Sequence, residues 1–235
     1  MTSLSILSGG AAQGLVGRLA ADFKARTGLD IEGEFGAVGT MAGKLRGGRP
    51  ADLVVLTATL IADLARENLV ASCSISDIGR VETAIAVRAG DPPVSIHDAA
   101  SLREVLLAAD AIFIPDTETS TAGIHVASML RQLGIADRVA ARLRVYPNGA
   151  TAMRHLAGAD AAVAIGCTQS TEIINTQGVK LSGFLPPGCE LSTVYTAAIT
   201  TSAAHGREAQ ILIDLLTNQE QGELRTQAGF LKARK

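Results

Sequence analysis

Leu4-Ser5-Ile6-Leu7-Ser8-Gly9-Gly10-Ala11 and Ile31-Glu32-Gly33-Glu34-Phe35-Gly36-Ala37-Val38-Gly39-Thr40 follow one plan. A short strand runs into a turn of small residues, and a helix follows. Each turn leaves backbone N–H groups free at a helix start, with a hydroxyl (Ser8, Thr40) beside them. Unpaired amides and the positive end of the helix dipole point the same way, so such a start is a natural seat for an anion. Taken singly, each turn is explained by the ordinary preference of Ser, Thr and Gly for helix starts. The repetition, with a third such group at Thr119-Ser120-Thr121, points to a protein that grips a small anionic ligand.

Outward from these turns, strand and helix signals alternate along the chain. Leu15, Val16, Leu19, Ala20 and Phe23 recur at helical spacing, with Arg18 and Asp22 on the opposite face. A second helix begins at Met41. Ala51-Asp52-Leu53-Val54-Val55-Leu56 is a continuous apolar strand of the kind buried on both faces, ending at Thr57. Further strands are expected over 82–87, 111–114, 143–146, 161–165 and 193–200. Helices are expected over 60–67, 101–109, 122–133, 150–156, 207–217 and 219–226. This order predicts α/β architecture with mainly parallel sheets and right-handed crossovers. In such sheets ligands bind beyond the carboxyl ends of the strands. The turns at Ser8, 36–40, Thr57, 116–121 and 166–169 fall there, which makes Ser8, Gly9, Gly10, Gly39, Thr40, Thr57, Ser120 and Thr121 candidate ligand contacts.

Composition removes several function classes. The 235 residues suffice for one large domain or two smaller lobes. A net charge of −2 offers no basic footprint for nucleic acid, and no apolar run reaches the ~18–20 residues of a membrane span. The three cysteines, Cys73, Cys167 and Cys189, are far apart and form no CxxC pair, which suits a reducing compartment. Met1-Thr2-Ser3 leads directly into the first strand without a cationic or apolar leader. The chain as written therefore reads as cytoplasmic, and as periplasmic only if a leader precedes it.

The motif inventory narrows the chemistry. Gly39-Thr40-Met41-Ala42-Gly43-Lys44-Leu45 resembles a phosphate-binding loop, but Val38 stands where its first glycine belongs and Leu45 where a hydroxyl belongs. No GxSxG elbow, HExxH motif or paired-histidine spacing occurs, and no metal or other cofactor is expected. Arg80 precedes the strand over 81–87 and offers a guanidinium fork for a carboxylate or phosphate; a surface ion pair explains it equally well. His125 falls near the start of the helix after Thr121 and Glu118 just before it, so both are candidate bases, though a lone histidine is more often a packed helix residue. Gln169 follows a buried strand as an amide contact, whereas Cys167 fills space.

The motifs in this order resemble the molybdate-binding branch of the periplasmic solute-binding proteins. The resemblance rests on the Ser8-Gly9-Gly10-Ala11 turn, the turn from Phe35 to Thr40, Pro50-Ala51-Asp52-Leu53-Val54-Val55 and Ala86-Val87-Arg88-Ala89-Gly90. It continues through Leu133-Gly134-Ile135-Ala136 and Gly158-Ala159-Asp160-Ala161-Ala162-Val163. It implies a type II two-lobed fold with a ligand cleft between the lobes, one lobe from 1–80 with 195–235 and the other from 81–194. It further implies oxyanion contacts at Ser8, Thr40 and the Ser120-Thr121 segment, and a partnership with an ABC permease for an exported chain. Arg80 would place a formal cation in a cleft that this branch lines with neutral donors. That departure, and Gln169, are similar to a subgroup resembling aconitate isomerase, which implies an enzyme moving a proton on an unsaturated polycarboxylate. Two readings therefore stand: capture of a small oxyanion or di- or tricarboxylate, and isomerisation of one.

Overall fold

The computed structural model describes residues 3–231; Met1 and Thr2, where the reading of the N-terminus begins, and residues 232–235 lie outside the described residues. The chain divides into two compact units, Met1–Val81 with Thr193–Lys235, and Glu82–Ser192.

The first unit opens with strand β1 (Ser3–Gly9), one 3-10 turn (Gly10–Ala12) and helix α1 (Gln13–Thr27). Leu15, Val16, Leu19 and Phe23 form the buried stripe of α1, and Gly28 ends it at φ 76°, returning its N–H to the Lys24 carbonyl. Strand β2 (Asp30–Gly36), helix α2 (Val38–Arg46), strand β3 (Leu53–Thr57) and helix α3 (Ala58–Arg66) follow. The β1 strand lies between β2 and β3 and runs parallel to both, with Ser8 opposite Phe35 on one side and Val55 on the other. Leu53, Val54, Val55 and Leu56 are fully buried, as a strand covered on both faces requires.

Strand β4 (Ser76–Arg88) carries the chain from the first unit into the second. There follow α4 (Ala99–Ala108), β5 (Ala111–Pro115), α5 (Thr121–Gln132), α6 (Ala136–Val139), β6 (Leu143–Tyr146) and α7 (Gly149–Ala157). Strand β7 (Ala164–Gln169), helix α8 (Ser170–Ile174) and strand β8 (Val179–Phe184) complete the second unit. Its strands lie in the order β8-β4-β7-β5-β6. Those from β7 to β6 are parallel, whereas β4 is antiparallel to β7 and β8. Helices cover both faces. Leu102, Val126 and Met129 pack with Ile85, Ile165 and Cys167 on one face, and Ala152, Met153 and Ile173 pack with Ala84, Ala86 and Ala164 on the other. Strand β9 (Ser192–Ile199) returns the chain to the first unit and pairs antiparallel with β3; α9 (Gly206–Thr217) and α10 (Gly222–Gln227) close it.

Several boundaries differ from the sequence expectations. The strand expected over 161–165 is β7, which begins at Ala164 and runs to Gln169, so 166–169 is strand rather than turn. Helix α2 starts at Val38, which places Thr40 in its first turn instead of ahead of it. Strand β4 begins at Ser76, so Arg80 lies within the strand. The expected helix over 219–226 is a 3-10 turn (Gln219–Gln221) followed by α10.

Buried Asp52 ties these pieces of the first unit together. Its carboxylate accepts from the Ser5 N–H and hydroxyl (2.9 and 2.8 Å) and from the Ala204 and His205 N–H groups (2.8 and 2.9 Å). Burial opposes its ionisation, but the bonds from Ser5, His205 and Ala204 together hold the carboxyl below its ordinary range. One side chain thereby anchors β1, the entry to β3 and the start of α9.

Candidate functional site

In the first unit three parallel strands present their carboxyl ends at one edge, and a helix begins beyond each. The order β2-β1-β3 makes the chain reverse direction across the sheet at β1 and β3, and a crevice opens at such a reversal. Ser8 is fully buried and donates to the Gly9 carbonyl at 3.0 Å. A Cβ on Gly9 would lie 2.7 Å from Val38 Cγ1 and 2.9 Å from Tyr195 Cε1, so only glycine lets the start of α2 close on the end of β1. Thr57 caps α3, its oxygen accepting from the Leu60 N–H at 3.4 Å. Ser8, Gly9, Gly10, Gly39, Thr40 and Thr57 thus share one edge, with Thr40 exposed on the first turn of α2.

Two neighbours of that edge complete the picture. Tyr195 pairs with Thr57 across β3 and β9, packs its ring beside Gly9 and meets Phe230 edge-on at 6.3 Å. Sequence reading passed over it, although it is one of only two tyrosines in a chain without tryptophan. The next residue, Thr196, donates to Asp77 at 2.6 Å on β4, and Arg80 follows three residues along that strand. Arg80 is half-buried, and its backbone exchanges hydrogen bonds with Leu231 at 2.9 and 2.7 Å.

In the second unit the parallel strands β7, β5 and β6 end at a common edge. Asp116, just past β5, accepts from the Glu118 N–H (3.0 Å) and from the Thr119 N–H and hydroxyl (both 2.7 Å). Its carboxyl is held low, chiefly by the Thr119 hydroxyl. Beyond this turn Ser120 stands at the N-cap of α5 without a side-chain capping bond, and Thr121 is the first helical residue. A Cβ on Gly123 would overlap the Asp116 carbonyl oxygen, so the first turn of α5 sits directly on the end of β5. His125 is half-buried with Nε2 2.8 Å from the Cys189 carbonyl. A carbonyl only accepts, so Nε2 carries the proton and Nδ1 is the basic nitrogen of the neutral ring. Glu118 is exposed, and Gln169 is buried at the end of β7.

The start of α7, by contrast, is filled from within. Glu172, buried on α8, accepts from the Thr168 hydroxyl at 2.5 Å and from the N–H groups of Gly149, Ala150 and Gln169. Burial is the largest influence on this carboxyl and pushes it above its usual range, with those bonds opposing. Any side chain at Gly149 would overlap Glu172 and Thr168. Cys167, fully buried, has its thiol pushed up to about 12 by desolvation, which makes it packing rather than a nucleophile. Among the described residues no cluster of three His, Cys, Asp or Glu side chains is placed to hold a metal, and no helix is long and apolar enough to cross a membrane.

Comparison with known proteins gives a consistent result. The chain is 25% identical to an aconitate isomerase from a Pseudomonas species over 231 residues, covering 94% of this chain and 84% of that protein. The periplasmic molybdate-binding protein of Azotobacter vinelandii superimposes with a TM-score of 0.82 at 19% identity, covering 99% of this chain and 100% of that one. The sulfate-binding protein SubI of Mycobacterium tuberculosis gives 0.75 at 20% identity, covering 98% and 86%. These two structures share the fold. Residues 4–231 match the family described as bacterial extracellular solute-binding protein, and the chain belongs to that family.

Proposed function

We propose that the protein captures a small anion, an oxyanion or a di- or tricarboxylate, at the helix starts that follow its parallel strands. The observation that carries this reading is the edge of the first unit, where three helix starts with Ser8, Gly9 and Thr57 meet at a strand reversal. The second unit contributes the start of α5. Backbone N–H groups at helix starts only donate, so they suit a fully ionised ligand better than one whose oxygens still carry a proton. Ser8 spends its proton on a neighbouring carbonyl in the free chain, so binding exchanges a weak local bond for a charge-assisted one. For an exported chain the captured anion would be passed to an ABC permease.

Calorimetric titration with molybdate, sulfate, citrate and the aconitates tests this. One of them is expected to bind, and Ser8→Ala to weaken it by about 1–2 kcal/mol, the worth of one hydrogen bond to a charged group. No heat from any of these anions overturns the reading.

A second reading is favoured by the aconitate isomerase relative and by Arg80. Here His125 Nδ1 removes a proton from the methylene carbon of an unsaturated tricarboxylate. The electron pair spreads over the allylic carbons and adjoining carboxylate, and the proton returns at the other allylic carbon. N–H groups at the helix starts and the Arg80 guanidinium would stabilise the developing charge. Incubation with cis- or trans-aconitate in deuterium oxide is expected to interconvert the two, with label at the migrating position where the base exchanges with solvent. His125→Asn is expected to abolish turnover and spare binding. Binding without conversion eliminates the isomerase and leaves capture in place.

A further inference from the structure

We propose that the Thr83 hydroxyl is a ligand donor in the second unit, completing an anionic-oxygen subsite with Gln169 and the start of α5; the inference rests on the anion-capture reading above. Thr83 is 1% exposed, and its Oγ1 has no hydrogen-bond partner among the described residues. Its backbone is fixed on both sides, the N–H donating to the Leu191 carbonyl at 3.0 Å and the carbonyl accepting from the Leu185 N–H at 3.3 Å. These bonds hold the Thr83 side chain on one face of β4, so only rotation about χ1 can redirect its hydroxyl. Buried hydroxyls in native interiors are almost always paired, and an exception calls for a reason.

The direction of the side chain supplies that reason. Thr83 is the cross-strand partner of Gln169 in the β4–β7 ladder, whose next in-phase pair is Ile85 with Cys167. Ile85 and Cys167 pack with Val126 and Met129 of α5, whereas Ala84 and Ala86 face the opposite core. Side chains alternate along a strand, so Thr83 and Gln169 both face the α5 side. Thr168 obeys the same alternation and turns to Glu172 on the other face.

Position along the sheet agrees. The β5–β7 register runs Ala111 to Ala164, Ile112 to Ile165 and Phe113 to Gly166, and its continuation sets Asp116 opposite Gln169. Asp116 is the residue on which Gly123 and the first turn of α5 rest. The twelve-residue helix thus begins beside the Thr83–Gln169 pair. An unused hydroxyl, a buried amide and free helix N–H groups converge at one place. Their common complement is an acceptor oxygen of an anion, a carboxylate or a tetrahedral oxyanion.

Thr83→Val keeps the shape and the strand preference and removes only the hydroxyl, and Thr83→Ser keeps the hydroxyl. The full chain and both variants are to be titrated calorimetrically with molybdate and with trans-aconitate, and melted without ligand. Thr83→Val is expected to bind the ligand of the wild type at least ~10-fold more weakly and to melt, ligand-free, no lower than the wild type. Thr83→Ser is expected to retain most of the affinity. Wild-type binding undiminished in Thr83→Val overturns this inference alone, and so does a clear drop in ligand-free melting, which would reveal an internal partner for the hydroxyl. A wild type that binds neither anion removes this inference, and if citrate and sulfate fail too, the capture reading goes with it. The ligand-free melting of Thr83→Val still reports whether the hydroxyl has an internal partner.

Discussion

Asp52 and Glu172 are both buried acids with several donors, yet their carboxyls move in opposite directions. For Asp52 the donors from Ser5, Ala204 and His205 outweigh burial. Its folded value lies below the unfolded one of about 3.9, so its contribution is present above pH ~4 and is lost as pH falls through the folded value. Asp52→Ala is expected to cost about 2–4 kcal/mol at pH 7, since it strands buried N–H groups. Urea titrations are expected to show that cost shrinking once the pH drops below ~4. For Glu172 burial wins, and a raised folded value means that stability falls as pH climbs from about 4.3 toward that value. Glu172→Gln is expected to remove this slope, read from melting temperatures between pH 4 and 7; an unchanged slope would show that Glu172 is not its source. Neither role was legible in the sequence. Asp52 was visible only as the polar member of an apolar strand, and its partners at 204 and 205 lie some 150 positions away. Glu172 meets Gly149 only because α8 and α7 are packed together.

Among the elements, the readable ones announce themselves by pattern. The spacing of Leu15, Val16, Leu19 and Phe23 specifies α1, and the unbroken Leu53-Val54-Val55-Leu56 run specifies β3. β7 was displaced because polarity misleads there: Thr168 and Gln169 are buried strand residues, whereas the apolar Val163 is exposed. β8 offers only the short Val179-Lys180-Leu181-Ser182 alternation, broken by Gly183, and the sequence expectations include no strand there. The start of α5 tests how tightly an element must be seated. Gly123→Ala forces a new atom onto the end of β5, where backbone cannot yield cheaply. It is expected to destabilise the protein by about 1–3 kcal/mol, seen in urea unfolding, and to weaken anion binding more than Ser120→Ala does. Equal stability would mean that the loop over 116–120 repositions freely. The helix starts themselves were legible from small residues and hydroxyls. That the start of α7 is occupied by the protein's own carboxylate was invisible, because it depends on tertiary partners.

For the whole molecule, ligand and stability are linked by mass action. An anion present at one hundred times its dissociation constant is expected to raise unfolding free energy by ~2.7 kcal/mol, measurable as a concentration-dependent melting shift that Arg80→Ala reduces for a carboxylate ligand. Failure of any anion in the panel to shift melting would contradict capture. The second unit is one uninterrupted segment, Glu82–Ser192, while the first is assembled from both ends of the chain. Leu53 pairs with Ile199, a ladder that cannot form until the whole second unit has been synthesised. During synthesis, therefore, the opening 81 residues emerge long before β9 and α9 are available to cover them, and the middle segment has everything it needs first. Residues 3–81 are thus completed only after the segment that follows them, and the apolar β3 strand waits without its β9 neighbour until then.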